Sequence, residues 1–400
     1  TMAVAKNLSV KTSDVSTAFI HASIKQWVLV WPPEEFYLQG GVVWKLKKAL
    51  YGLKNSPRLW QDHFASVMHQ LNFARCKSDA NLYRHEDNSL FILCYVDDLL
   101  LFGVEDKVKH VFKLLQDQFV IRQTGTLSQP GDKLDFLGRT LVKTADSVLV
   151  TMKPEYIDRL LADANLTTCR TAVTPGTDTL KKLVEEETLL TREEHATYRR
   201  FVGQLLWLSV VRPDITFAVK ELSRGVSAPT LEHQAKLKHL LRYLAGARDF
   251  CVELRPKLQL HEKNTSLNIT CYTNSDWAGC NKTRKSTSGV LCCVLDTVIS
   301  SLSRTQQTIA LSSGEAELYA LGLGVAESLF LRSLILESNL AKSCNLVVFT
   351  DSTAGESMAN RFGTTRKTKH IQLRFLFMQE LVLSGIVTIK KILGTSNPSD

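Results

Sequence analysis

The chain has no Cys-x-x-Cys pair, and its nine cysteines, at 76, 94, 169, 251, 271, 280, 292, 293 and 344, stand apart from any histidine at zinc-ligand spacing. That pattern argues against a zinc-built or disulfide-framed domain, and the cysteines read as reduced core residues. No charged leader precedes an apolar segment, and no uninterrupted apolar run reaches the length of a bilayer span, so the expectation is an intracellular, soluble protein with no membrane partner. Internal repeats and low-complexity tracts are absent too. What is present is enough apolar material to fold: 44% hydrophobic against 22% charged residues, where a disordered chain could not offset its ordering entropy. Four hundred residues suggest two or three domains. A net charge of +9, spread along the chain, suits a broad polyanion-binding face and makes nucleic acid the leading partner.

One stretch organises the rest. Phe91 to Phe102 reads FILCYVDDLLLF, two β-prone runs flanking the adjacent carboxylates Asp97 and Asp98. The pattern predicts a buried hairpin with acid at its tip. Two like charges beside an apolar core are either solvated by their turn or neutralised by metal.

Upstream, Asp14 opens a short apolar segment, Val15 to Ile20, and WVLVW is a second strand stopped by Pro32 and Pro33. From Val43 to Phe64, Lys45, Lys47, Lys48, Lys54 and Arg58 interleave with Trp44, Tyr51 and Trp60. That mixture suits phosphate contact with base stacking, or equally a solvated amphipathic helix. Asp62 and His63 read as surface residues. Further on, Gln234 to Leu244 is an amphipathic helix whose basic face, Lys236, Lys238, His239 and Arg242, either tracks a duplex backbone or is solvated at a domain junction. KKLVEEET, at 181 to 188, reads as a flexible crossing.

DVSTAF, LKKALYGLKNSPRLW and YVDD, in that order, resemble the reverse transcriptase of copia-type LTR retrotransposons. The resemblance continues through DFLGRTL, YRRFVGQLLWLSVVRPDITFAVKELSR and HQAKLKHLLRYLAGARDF. From about 270, YTNSDWAGC, RKSTSG, LSSGEAELYAL, FTDSTAG, RKTKHIQLRF and LGTSNPSD resemble the copia-type RNase H. It implies a mixed α/β (α+β) fold: a polymerase palm at 1–150, a thumb- or connection-like helical region at 151–265, and an RNase H-like domain at 266–400.

The resemblance also implies the chemistry. Two divalent ions, Mg²⁺ or Mn²⁺, clamp the oxygens of an in-line phosphoryl displacement in each active site. Asp14 and Asp97, with Asp98 in support, would be the polymerase ligands, and Val15 would add a backbone carbonyl. Phe19 matches an aromatic position under the incoming sugar, and Tyr51, Gly52 and Lys54, with Tyr95, match the template and nucleotide contacts. Gly52 would let backbone approach closely. In the second unit Glu317, Asp351 and Asp400 match RNase H ligands, with Glu317 preferred to Glu315 because i,i+2 positions do not share a helix face. The implied partners are primer-template, RNA/DNA hybrid, deoxynucleoside triphosphates and other Pol segments such as protease and integrase, in a cytoplasmic particle or the nucleus.

Two departures temper that expectation. Asn274 stands where the family pattern Tyr-x-Asp-x-Asp-Trp has its first aspartate, and a neutral amide withdraws a formal charge from a metal site. Asp276, two residues on, would sit roughly 6–7 Å away along the strand. Only thirteen residues precede Asp14, so the fingers region reads as truncated, and Gln372 replaces an acid after the KHI motif. The reading is an RNA-directed DNA polymerase with C-terminal RNase H, here a fragment of impaired activity: slow polymerisation without the triphosphate cradle and weak or absent RNase H cleavage, the alternative being a noncatalytic RNA/DNA-binding remnant.

Overall fold

The computed structural model describes every residue except 37–40, 177–187, 258–265, 281, 364–372 and 400. Asp400, Gln372 and most of the crossing expected at 181–188 therefore lie outside the described residues. Among the described residues three larger sheets, of six, four and five strands, follow one another along a mixed α/β chain, with a small two-stranded ribbon beside the first.

The first unit comprises α1 (Met2–Ala5), β1 (Ser9–Val15), α2 (Ala18–His21), β2 (Leu29–Val30), β3 (Trp44–Lys45), α3 (Ser56–Gln70), β4 (Phe73–Arg75), β5 (Leu82–His85), β6 (Leu90–Tyr95), β7 (Asp98–Gly103), α4 (Glu105–Gln118) and β8 (Ile121–Leu127). Its antiparallel sheet runs β4-β5-β6-β7-β1-β8, with the expected hairpin β6–β7 next to the strand that bears Asp14. The period-2 pattern sends Ile92, Cys94, Leu99 and Leu101 to one face, where they meet Trp60, Phe64, Val67 and Met68 of α3 and Val108, Val111 and Leu115 of α4. Ser56 and Pro57 start α3, because a proline in the first helical turn forfeits no intrahelical bond. The two-residue strands β2 and β3 form a separate ribbon.

The second unit comprises β9 (Lys133–Phe136), β10 (Arg139–Lys143), β11 (Val148–Met152), α5 (Pro154–Asp163), α6 (Arg192–Ser209), α7 (Thr216–Arg224), α8 (Leu231–Gly246) and β12 (Val252–Leu254). The boundary expected at 150 falls inside β11, and the sheet β12-β11-β10-β9 joins residues from both sides of it. The helices share a core of Leu160, Leu161, Tyr198, Leu205, Ile215, Val219, Leu240 and Leu244. Buried Arg212 ties them together: its guanidinium donates twice to Asp214, at 2.9 and 2.6 Å, and once to the Ala247 carbonyl at 2.9 Å.

The third unit comprises β13 (Ser266–Asp276), β14 (Thr287–Val294), β15 (Thr297–Thr305), α9 (Ser313–Glu337), β16 (Ser343–Thr350), α10 (Thr353–Asn360), α11 (Leu373–Leu383) and β17 (Val387–Lys391). Its mixed sheet runs β15-β14-β13-β16-β17, antiparallel through β13 and parallel beyond it. Helix α9 is long and apolar enough to cross a membrane by length and composition alone, although charged residues such as Glu327 and Arg332 interrupt its apolar run. Its apolar side chains are spent against the sheet and α10, and Gly324 sits so close to β13 that an added Cβ would lie 2.4 Å from Thr273 Cγ2.

The units are not separate beads. Met2 and Ala5 of α1 pack into the core of the third unit, and Leu334 and Leu340 meet Cys76, Leu82 and Phe91 of the first. At that junction lies an apolar cavity of about 320 Å³, lined by residues of all three units, including Val4, Phe102, Leu141, Leu254, Val294 and Leu331.

Candidate active site

Asp14 is the penultimate residue of β1, and its register partner across the antiparallel pair is Asp98, the first residue of β7. Such partners have Cα atoms roughly 4.5–5.5 Å apart. Asp97 and Val96 form the two-residue turn before β7, closed by the Tyr95–Asp98 pair, and the Asp97 carbonyl accepts the Val15 N–H at 2.8 Å. Three carboxylates thus converge on one sheet end. Burial pushes the Asp98 carboxyl above the usual range, and the charges of Asp97 and Asp14 push it further. Among the described residues no ion pair involves any of the three.

Tyr51 faces the same acids. Burial, then the charges of Asp97 and Asp14, raises its phenol above the ordinary value. Its ring lies 4.5 Å from that of Phe19, which is itself buried in the core of the first unit while Tyr51 is exposed. Phe19 is therefore a core phenylalanine and a neighbour of the site at once. Gly52 has a φ of +92°, which glycine adopts without strain, and the space where a Cβ would stand is open, with nothing within 4 Å. Lys54 and Tyr95 are exposed.

The basic and aromatic stretch divides in two. Trp44 and Tyr51 are exposed, as stacking requires, but Trp60 is buried, its indole N–H donating to the Val96 carbonyl at 2.7 Å. His63 joins Trp60 and Phe119 in a ring cluster, so it is a packing residue rather than a surface one. The signal for this was the spacing of Trp60, His63 and Phe64 on one helix. The ribbon also exposes Trp27, Trp31 and Phe36, and Lys45 Nζ lies 3.6 Å from the Trp27 ring centroid. The basic face of α8 is largely engaged: Lys236 pairs with Glu232, His239 meets the Thr174 carbonyl and Arg242 donates to the Arg170 carbonyl. All of these partners belong to the second unit.

In the third unit Glu317 lies beneath the sheet, accepting the Ser275 N–H at 2.9 Å and the Thr350 hydroxyl at 3.4 Å. It bridges the two strands that carry Asn274 and lead to Asp351. Glu315 instead closes the helix start, accepting the Leu311 N–H at 2.9 Å and the Tyr319 hydroxyl. Asp351 packs on Gly394, where a Cβ would stand 3.3 Å from Oδ2. Asp276 is turned to its own strand end, where its carboxylate accepts the Thr287 N–H. Asn397 docks the C-terminal segment by donating to the Thr273 carbonyl at 3.0 Å. Among the described residues, no three His, Cys, Asp or Glu side chains gather closely enough to hold a metal ion. The three carboxylates of the first site are hard donors of the kind a divalent cation takes, and Arg122 on β8 is the register partner of Asp14. At the third unit the amide of Asn274 fits such a cation less well.

Residues 1–178 match the family model described as reverse transcriptase (RNA-dependent DNA polymerase). Across the whole chain the sequence is 31% identical to the retrovirus-related Pol polyprotein from transposon TNT 1-94 of Nicotiana tabacum, covering 30% of that protein. The first 178 residues thus match the reverse transcriptase family, and the chain throughout is similar to transposon Pol polyproteins. The Pol polyprotein from transposon RE2 of Arabidopsis thaliana is 28% identical over 97% of the chain and 26% of its own length. The chain thus spans about a third or less of these polyproteins. Among solved structures, the N-terminal RNase H domain of a Mycobacterium tuberculosis protein, fused to maltose binding protein, gives a TM-score of 0.25 at 15% identity. That likeness covers 33% of this chain and 86% of the other, and at such a score it carries no argument about fold.

Proposed function

We propose that this chain is the polymerase and RNase H-like part of a copia-type Pol polyprotein, acting as an RNA-directed DNA polymerase. The first unit is then the palm, the second the thumb or connection, and the third the RNase H-like domain. The observation that carries the reading is the pairing of Asp14 with Asp98 beside Asp97, with Tyr51 and Phe19 against them. Asp14, Asp97 and Asp98 would hold the divalent cation, Mg²⁺ or Mn²⁺, two per site in the family pattern. Bound there, it supplies charge stabilisation of the transferred phosphoryl group. The chain's own residues do the positioning. Tyr51 and Phe19 form an aromatic wall beside the carboxylates, and exposed Lys54 and Tyr95 stand near enough in sequence to it to meet nucleotide or template.

The third unit is proposed to bind RNA/DNA hybrid and to cleave it weakly or not at all, because Asn274 removes a carboxylate from the strand next to Glu317 and Asp351. The surroundings proposed for the chain are a Pol polyprotein with protease and integrase segments, in a cytoplasmic particle or the nucleus. Primer extension on an RNA template with deoxynucleoside triphosphates and Mg²⁺ tests the polymerase. Extension by the parent chain, abolished by Asp97→Asn/Asp98→Asn, is the expected result. No extension, with tight, salt-sensitive hybrid binding in both proteins, would favour a noncatalytic binding remnant instead.

A further inference from the structure

The turn that presents Asp97 is strained and is held from behind. Val96 has φ of +57°, a left-handed conformation that a β-branched residue rarely adopts. Its carbonyl oxygen accepts the Trp60 indole N–H at 2.7 Å and lies 3.6 Å from the Cys94 thiol. Trp60 is 1% exposed and wedged against the rings of Phe64 and Phe119, with centroids 5.5 and 5.4 Å away. The indole therefore cannot swing without disturbing the core of the first unit. On the other side of the turn the Asp97 carbonyl is fixed by Val15 of β1. Two consecutive carbonyls are thus anchored to two different elements, and the first of them belongs to the residue with the positive φ. Behind the turn a cavity of about 30 Å³, lined by Phe19, Trp60, Cys94 and Val96 among others, leaves room for the turn to relax inward.

We propose that Trp60 is a positioning residue: its indole N–H holds the Val96 peptide in the strained conformation and so fixes where Asp97 points. The catalytic consequence rests on the polymerase reading above, whereas the conformational tie does not. Trp60 never needs to touch substrate, and its sequence motif gives no hint of the tie.

A double-mutant cycle on the full chain tests it, with Trp60→Phe removing the donor while keeping a ring, and Val96→Gly removing the strain. Glycine adopts positive φ without support. Trp60→Phe should lower kcat for primer extension about tenfold or more, since small misplacements of a catalytic group are that costly, while KM for nucleotide moves less than about twofold. Adding Val96→Gly should restore several-fold of that loss yet give no gain in the parent chain. The same non-additivity should appear in urea-unfolding midpoints, which need no polymerase activity.

An additive cycle, or Trp60→Phe with unchanged kcat, would reduce Trp60 to a core residue and overturn the proposal. Should the parent chain fail to extend primers, the polymerase reading falls while a non-additive unfolding cycle keeps the tie. Indole hydrogen exchange in the parent chain covers the case in which Trp60→Phe does not fold. The Trp60 N–H should exchange at least about a hundredfold more slowly than those of exposed Trp27 and Trp31, and exchange at their rate would overturn the tie.

Discussion

Asp14, Asp97 and Asp98 carry a local charge excess that a bound cation would relieve, and ligand binding to the folded state alone raises stability by mass action. Mg²⁺ at about a hundred times its dissociation constant should add about 2.7 kcal/mol, read as a rise in thermal midpoint. Asp97→Asn/Asp98→Asn should abolish that rise. A second single-residue expectation concerns His233, whose Nδ1 accepts from the Thr230 N–H at 3.2 Å and lies 2.8 Å from its hydroxyl, capping α8. Burial lowers its pKa below the ordinary value of 6.5, helped by Lys236 and Lys282 and opposed by Glu232 and Glu221. The unfolded chain then takes up the proton first as pH falls, so stability is full above about pH 6.5–7 and declines as pH drops through that value toward the lower folded pKa. His233→Gln should flatten this part of the midpoint-against-pH curve. The acids at the hairpin were legible in the sequence because YVDD lies between two alternating runs. The cap at His233 was not, because histidine at the third helical position is an unusual partner for Thr230.

Among the elements, α9 is the most tightly seated. Gly324→Val should cost about 1–3 kcal/mol in urea unfolding, since its Cβ has Thr273 Cγ2 at 2.4 Å and Cys271 Sγ at 2.9 Å in its way. The β2–β3 ribbon is the opposite case, an element whose large rings face water. Trp31→Ala should weaken single-stranded RNA binding by about 1–3 kcal/mol if its ring stacks on a base, measured by fluorescence anisotropy at two salt concentrations. Helix identity was readable in α9 and α3 from length and apolar content. Which rings of the 43–64 stretch turn inward was not, because Trp60 and Trp44 look alike until α3 is seen to roll Trp60 onto Phe119. The length of β2 was overread for a related reason: WVLVW has strand composition, but only two of its residues find a partner strand.

At the scale of the whole molecule, the order of the three units was legible from the motif order, and their interlocking was not. Contacts such as Glu337 to the backbone of Lys77 and Ser78, the latter at 2.7 Å, join residues some 260 positions apart and leave no local pattern. Glu337→Ala should speed amide exchange across 76–82 and cost about 0.5–1.5 kcal/mol, the net worth of hydrogen bonds whose donors water can reach once the carboxylate is gone. Residue 150 lies inside β11, which pairs with β12 about a hundred residues on, another long-range contact that leaves no local pattern. The 320 Å³ apolar cavity where the units meet has a further consequence. Unfolding releases such packing defects and lowers the volume of the system. Hydrostatic pressure should therefore loosen the junction of the three units, read as faster amide exchange at Val4, Leu141 and Leu331 under pressure than at ambient pressure.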